Sequence, residues 1–215
     1  MANSLTVEQT CLMFNYISKK IIENKPLLTE VDGAIGDGDH GIGMSVGFTA
    51  ASKRLNETEL SSINDIFKTT GMAMINSMGG ASGVIFGTMF LGGVKKAPLI
   101  EQLNLESLTR ICESALKEVK LRGKAEIGDK TMVDALEPAV EALKESVSQS
   151  LCLIDGLKSA EKSAKEGVEK TKEQYPKFGR AKTLGERAIG HQDAGATSVW
   201  IIFRSMREWV EKNKN

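Results

Sequence analysis

Residues 133–147 read VDALEPAVEALKESV, and their apolar members Val133, Leu136, Val140, Leu143 and Val147 recur at steps of three and four. That spacing sets them along one face of an α-helix, which turns once in about 3.6 residues. The period continues outward on both sides. Upstream it is carried by Leu108, Ile111, Ala115 and Val119, and near the start by Val7, Cys11, Phe14, Ile17 and Ile21. Downstream, Leu157, Ala160, Ala164, Val168 and Tyr175 form a further stripe. Weaker stripes cover residues 41–55, 62–77, 83–95 and 196–212. The expectation is an all-α domain of about eight helices, since no segment shows a convincing strand period of two. Pro26, Pro98 and Pro176 fall between stripes, where they stop helices. Pro138 lies inside one and predicts a kink or a late helix start.

A chain of 215 residues suits a single domain spanning 1–215 with one sizeable core. Apolar residues make up 41% and charged residues 26%, an ordinary globular balance. Lys plus Arg and Asp plus Glu number 28 each, so no global field favours nucleic acid or an anionic membrane surface. The first ten residues, MANSLTVEQT, lack the basic-then-apolar order of a signal peptide. No apolar run approaches the ~20 residues that span a bilayer. These features predict a soluble, cytoplasmic protein. Cys11, Cys112 and Cys152 have no metal-ligand spacing and read as reduced core thiols. The Lys/Glu mixture of 159–172, SAEKSAKEGVEKTK, reads as the solvated face of a long helix.

Four stretches break the helical pattern: 32–43 (DGAIGDGDHGIG), 79–83 (GGASG), 123–134 (GKAEIGDKTMVD) and 179–198 (GRAKTLGERAIGHQDAGATS). Connections that approach a phosphate or a metal need such density of Gly, Asp, Ser and Thr; ordinary surface turns do not. The first holds Asp32, Asp37 and Asp39 within eight residues. Carboxylates crowded together repel, by about 4 kcal/mol per pair at ~4 Å and an effective dielectric near 20. A divalent cation turns that repulsion into attraction, and hard oxygen donors suit Mg²⁺, which keeps water and phosphate oxygens among its ligands. An exposed Asp/Gly turn with no ligand fits the same spacing.

Three familiar motifs are excluded. Residues 36–41, GDGDHG, match G-x-G-x-x-G, but no strand precedes them and two aspartates would repel a bare pyrophosphate. Twelve-residue loops from Asp32 or Asp37 end at Gly43 or Phe48, not at the glutamate of an EF-hand. No G-x-x-x-x-G-K-[ST] occurs. In the second stretch, Gly79–Gly83 precedes VIFGTMFLGGV, so free helix-start amides and Ser82 can seat a phosphate, or the glycines can serve close helix packing. In the third, Asp129, Lys130 and Thr131 precede a helix, and Asp129 or Thr131 is expected to cap it. The fourth gathers Arg180, Arg187, His191, Asp193 and Thr197, either as a cationic partner for phosphates or as a salt-bridged turn.

The strings IGDGDHG, GMAMINSMGGASG, RGKAEIGDKTMVDAL and GRAKTLGERAIGHQDAGATS, in this order, resemble the L subunit of bacterial dihydroxyacetone kinases. The likeness covers essentially the whole chain. It implies an antiparallel barrel of eight helices with ADP or ATP in the loops at one end. Asp32, Asp37 and Asp39 match the aspartates that hold two Mg²⁺ ions against the phosphates. His40, Gly41, Ile42, Gly43, Ala81, Ser82, Gly123, Met132 and Arg180 match nucleotide-contacting positions. So do Asp193, Ala194 and Gly195, although relatives often carry proline where Ala194 stands. The resemblance also implies two partners: a K subunit that holds the ketose on a histidine, and a phosphohistidine protein of the sugar phosphotransferase system that recharges bound ADP. His40 after the second loop aspartate points to that branch over the ATP-consuming one. No side chain of this chain is expected to act as a catalytic nucleophile; the implied chemistry is in-line phosphoryl transfer by positioning and charge neutralisation. A nucleotide-loaded regulatory adaptor and a ligand-free helical protein are the rival readings. The ketose (dihydroxyacetone or one such as erythrulose) and the oligomeric state, a homodimer included, stay open.

Overall fold

Capping residues decide where the helices begin. In the computed structural model, which describes residues 4–213, Thr6 Oγ1 accepts from the Gln9 amide at 3.2 Å. The Gln9 side chain accepts from the Thr6 amide at 2.9 Å, completing a capping box for α1 (Val7–Glu23). Asn104 and Ser107 form the same device ahead of α6 (Leu105–Gly123), and Ser62 caps α4 (Ile63–Ser77). The remaining α-helices are α2 (Lys25–Ile35), α3 (His40–Glu57), α5 (Gly80–Val94), α7 (Val133–Ser148), α8 (Leu153–Lys170) and α9 (Ala194–Lys212). Short 3₁₀ segments cover Thr171–Glu173 and Arg180–Ala188. The described residues are thus predominantly helical, as the apolar period predicts.

Four details differ from the sequence expectation. The helix α2 was not foreseen, because Pro26 looked like a stop. It lies instead in the first turn of α2, where its missing N–H has no intrahelical partner to lose. Only Leu28 and Ile35 of α2 are buried, too thin a stripe to read. Downstream, α8 ends at Lys170, and Tyr175, the last member of its expected stripe, is 51% exposed. Two two-residue strands, β1 (Ser4–Leu5) and β2 (Leu103–Asn104), pair antiparallel and pin the start of the described chain beside α6. Finally, α7 begins ahead of Pro138 and runs through it to Ser148, so of the two alternatives, a kink or a late start, the late start is ruled out.

That proline has a structural counterpart. Lacking an N–H, it leaves the Asp134 carbonyl without its usual partner in the helical ladder. Gly167 of α8 packs its bare Cα directly against that carbonyl, and a Cβ there would also sit 2.9 Å from the Ala135 Cα. A similar close approach joins α4 to α5, where a Cβ on Gly71 would lie 2.8 Å from the Gly87 carbonyl oxygen.

Helix neighbours form a closed ring. Going round it, α1 packs on α3, α3 on α4, and so on in chain order to α9, which returns to α1; α2 flanks α3 outside this circuit. One continuous apolar cluster fills the interior and draws on every helix of the ring. Its aromatic members meet edge to face, with Phe14 and Phe67 centroids 4.9 Å apart and Phe48 and Phe90 6.1 Å apart. Arg207 of α9 grips Glu161 of α8 through Nε at 2.7 Å and Nη2 at 3.3 Å. All three cysteines are free thiols. Cys112 is buried, and desolvation pushes its thiol up to about 12, while Cys11 and Cys152 are only half-buried. Among the described residues, no helix is long and apolar enough to cross a membrane.

Candidate functional site

Short connections between neighbouring helices reverse the chain, so alternate connections fall at the same end of the ring. The four glycine-rich stretches are such alternates, and contacts between them show that they meet. Arg180 Nε reaches Asp37 Oδ2 at 2.9 Å, joining the fourth stretch to the first. Met132 of the third stretch packs on Gly195 of the fourth, whose added Cβ would lie 3.3 Å from the Met132 Cβ. A Cβ on Gly43 would touch Met78 at 3.8 Å, which places the α3 start beside the link into α5. Gly123, the last residue of α6, faces Ile85 of α5.

The first stretch is more ordered than a long loop. Asp32 lies in the last turn of α2, Asp37 in the four-residue link, and Asp39 at the N-cap of α3. Asp32 Oδ2 accepts from the His40 amide at 3.1 Å, so the first N–H of α3 fixes that carboxylate. Gly36 makes room for it: a Cβ there would come within 2.6 Å of Asp32 Oδ1. Gly38 turns the chain with φ +75°, a conformation that L side chains rarely adopt. As a result, one ligand oxygen from each of Asp32, Asp37 and Asp39 lies within 4.8 Å of the others. Three converging carboxylates of this kind are hard donors that match Mg²⁺. Their crowding registers in Asp39, whose carboxyl titrates above its ordinary value. Burial is the largest cause, repulsion from Asp37 and Asp32 adds to it, and Arg180 opposes it.

The other expected residues sit at helix starts or, for Gly123, at a helix end. His40 turns its ring inward, where Nε2 pairs with Ser198 Oγ at 2.8 Å and the ring tilts against Phe86. Burial lowers its pKa, with Asp32 pulling weakly the other way. His40 therefore faces the site through its backbone, and its imidazole is a satisfied core group. Gly41 is buried against α2, where a Cβ would meet the Thr29 amide at 2.7 Å. Ile42 is half exposed, and Gly43 lies in the first turn of α3.

Ala81 and Ser82 stand in the first turn of α5, whose N-cap is Gly79 and which has no side-chain cap. Its leading amides thus lack an internal side-chain acceptor, the arrangement that accommodates anions. Asp193 caps α9 by accepting from the Ala196 amide at 2.7 Å, with Ala194 and Gly195 in the first turn behind it. Its carboxyl is raised to about 7, first by burial and then by repulsion from Asp134 and Asp32, against the pull of the Ala196 amide and Lys130.

Of the two expected caps of α7, the structure keeps Thr131 and corrects Asp129. Asp129 does not cap the helix, and Met132, the residue just ahead of it, makes no side-chain bond, but Thr131 Oγ1 accepts from the Val133 amide at 3.2 Å and so serves the helix start as expected. Asp129 instead accepts from the Glu126 amide at 2.7 Å and pairs with Lys177 at 2.6 Å. The organising group is Asp134, which the sequence reading did not single out. It is 2% exposed and accepts from the Gly128 amide at 2.6 Å, the Thr131 amide at 2.8 Å and Gln174 Nε2 at 2.9 Å. The signal was present: Thr131-Met132-Val133-Asp134 is the T-x-x-D spacing that pairs a helix start with its third residue.

Fold and site together define a helical ring domain whose acidic mouth sits at one end, and residues 34–208 match the DAK2 domain family, to which the chain belongs. It is 42% identical over 192 residues to "PEP-dependent dihydroxyacetone kinase 1, ADP-binding subunit DhaL" of Listeria innocua, covering 89% of this chain and 91% of that one. The corresponding Escherichia coli subunit is 41% identical over 179 residues, covering 83% and 85%. The ADP-binding subunit DhaL of the PTS-dependent kinase of Lactococcus lactis is 37% identical over 206 residues, covering 96% and 99%. Among solved structures, the dihydroxyacetone kinase of C. freundii in complex with AMP-PNP and Mg²⁺ superposes with a TM-score of 0.71 at 24% identity. The match takes in 92% of this chain and 33% of that one, and it supports the fold.

Proposed function

We propose that this chain is the nucleotide-binding subunit of a phosphoenolpyruvate-dependent dihydroxyacetone kinase. In this reading it passes a phosphoryl group from bound nucleotide to a ketose carried by a separate K subunit. The observation that carries the proposal is the convergence of Asp32, Asp37 and Asp39 within 4.8 Å at the mouth of a DAK2-family ring. These carboxylates would hold Mg²⁺, two ions by the family resemblance, and the metal would neutralise phosphate oxygens as charge develops on the transferring group. The leading amides of α5 at Ala81 and Ser82 seat phosphate oxygens. Gly41 and Gly43 let the backbone come close, with Ile42 between them. In this reading Gly123, beside α5, and Met132 with Asp193–Gly195 complete the rim. Arg180, already at the acid cluster, supplies a positive charge for the phosphates. No side chain of this subunit acts as nucleophile. Recharging of ADP by a phosphohistidine protein of the phosphotransferase system, in the cytoplasm, completes the proposed cycle.

The test is to purify the protein with Mg²⁺, denature it, and identify released nucleotide by chromatography. Near-stoichiometric ADP surviving dialysis supports the recharged-coenzyme reading. Reversible ATP binding by a protein that arrives empty moves the chain to the ATP-consuming branch. Absence of any nucleotide binding sinks the proposal.

A further inference from the structure

Lys130 is 2% exposed, a rare state for lysine, and nothing in the proposed chemistry uses it. Its backbone is held at φ +59°, in the left-handed region, so the chain accepts local strain to send this side chain inward. The ammonium donates to the Thr171 carbonyl at 2.5 Å and to the His191 carbonyl. Thr171 terminates α8, and its hydroxyl accepts from the Asp193 amide at 2.9 Å. His191 lies two residues before Asp193, whose half-buried carboxylate, with that of buried Asp134, faces the ammonium electrostatically. Directly after Lys130, Met132 packs on Gly195. One cation therefore ties three segments that are distant in sequence: the link before α7, the end of α8, and the approach to α9.

We infer that Lys130 is a positioning residue that clamps the edge of the nucleotide site formed by Met132 and Asp193–Gly195, holding it preformed without touching the ligand. The inference rests on the nucleotide-binding reading above. A buried charge with two carbonyl acceptors costs desolvation, and a merely space-filling role would be met as well by an apolar side chain. Charge-assisted bonds to main-chain oxygens instead fix backbone position, which is what a backbone-lined ligand edge needs.

The test uses the full chain and three variants, Lys130→Met, Lys130→Gln and Thr171→Val, read by MgADP titration calorimetry and by amide hydrogen exchange. Parent protein that binds MgADP establishes the underlying reading; parent protein that does not bind it removes that reading before the variants are considered. Lys130→Met should weaken MgADP by about tenfold to a hundredfold, the range for loss of charge-assisted hydrogen bonds. Exchange should rise at residues 190–196 while α1 and α4 stay protected. Thr171→Val should shift both readouts the same way by a smaller factor. If Lys130→Met folds and binds MgADP with parental affinity, the inference is overturned. If that variant does not fold, Lys130→Gln, which keeps a donor for the carbonyls without the charge, decides: weaker binding with local exchange supports the clamp, and parental affinity overturns it.

Discussion

At the scale of single residues, the site is a set of charges that the fold brings close together. Asp37 is both a member of the acid cluster and the partner of Arg180. Asp37→Ala should leave the helical circular dichroism intact and weaken Mg²⁺-dependent ADP binding by at least about tenfold to a hundredfold in calorimetry. Asp193 offers a test by pH. The folded protein keeps this carboxyl's proton up to about 7, whereas the unfolded chain releases it near the ordinary 3.8. Folding therefore takes up a proton between those values, and the contribution of Asp193 to stability falls as pH rises through that window. Asp193→Asn retains a capping side chain and removes the titration. Its Tm relative to the parent, measured without nucleotide from about pH 5 to about pH 8, should shift upward in the variant's favour as pH rises. Sequence nominated the three loop aspartates, and the fold does bring them together, but their spacing alone fitted an unliganded turn equally well. The burial of Lys130 was not legible, since lysine is read by default as surface.

At the scale of elements, the strongest single constraint is the contact of α8 with the first turn of α7. Gly167→Ala would drive a methyl into the Asp134 carbonyl and the Ala135 Cα. The expected cost is about 1–3 kcal/mol, the usual penalty of overpacking, seen as a lower midpoint in urea with an unchanged slope. Thr6→Ala removes half of the capping box of α1 and should cost about 1 kcal/mol in the same assay. Stripes of five apolar residues announced α1 and α7 from sequence, because each helix must bury one face. The same rule hid α2, which buries two large side chains and lies outside the ring. Tyr175 fitted the period of α8 but not its length. The 3₁₀ turn after Lys170 takes the chain off the helix axis before that side chain could pack.

At the scale of the whole molecule, ring closure brings together loops separated by up to about 160 residues, which no local pattern can announce. Sequence could nominate the four glycine-rich stretches separately; only the packing order of the helices places them at one mouth. A ligand that bridges several of those stretches must stabilise the whole ring. MgADP at ~100 times its dissociation constant should add about 2.7 kcal/mol, read as a rise in Tm that chelator abolishes. ADP without Mg²⁺ should give little of that rise if the three carboxylates hold the metal.

The meeting of Pro138, Asp134 and Gly167 bears on how this chain can change over generations. With an N–H restored at position 138, the Asp134 carbonyl could be drawn back into its own ladder, away from α8. Alanine at 167 should then do less harm in a Pro138→Ala background than in the parent, a coupling of about 1 kcal/mol in a double-mutant cycle. The two positions are not free to drift independently. A lineage that loses the glycine first crosses a fitness valley, whereas one that loses the proline first takes a gentler path to the same pair.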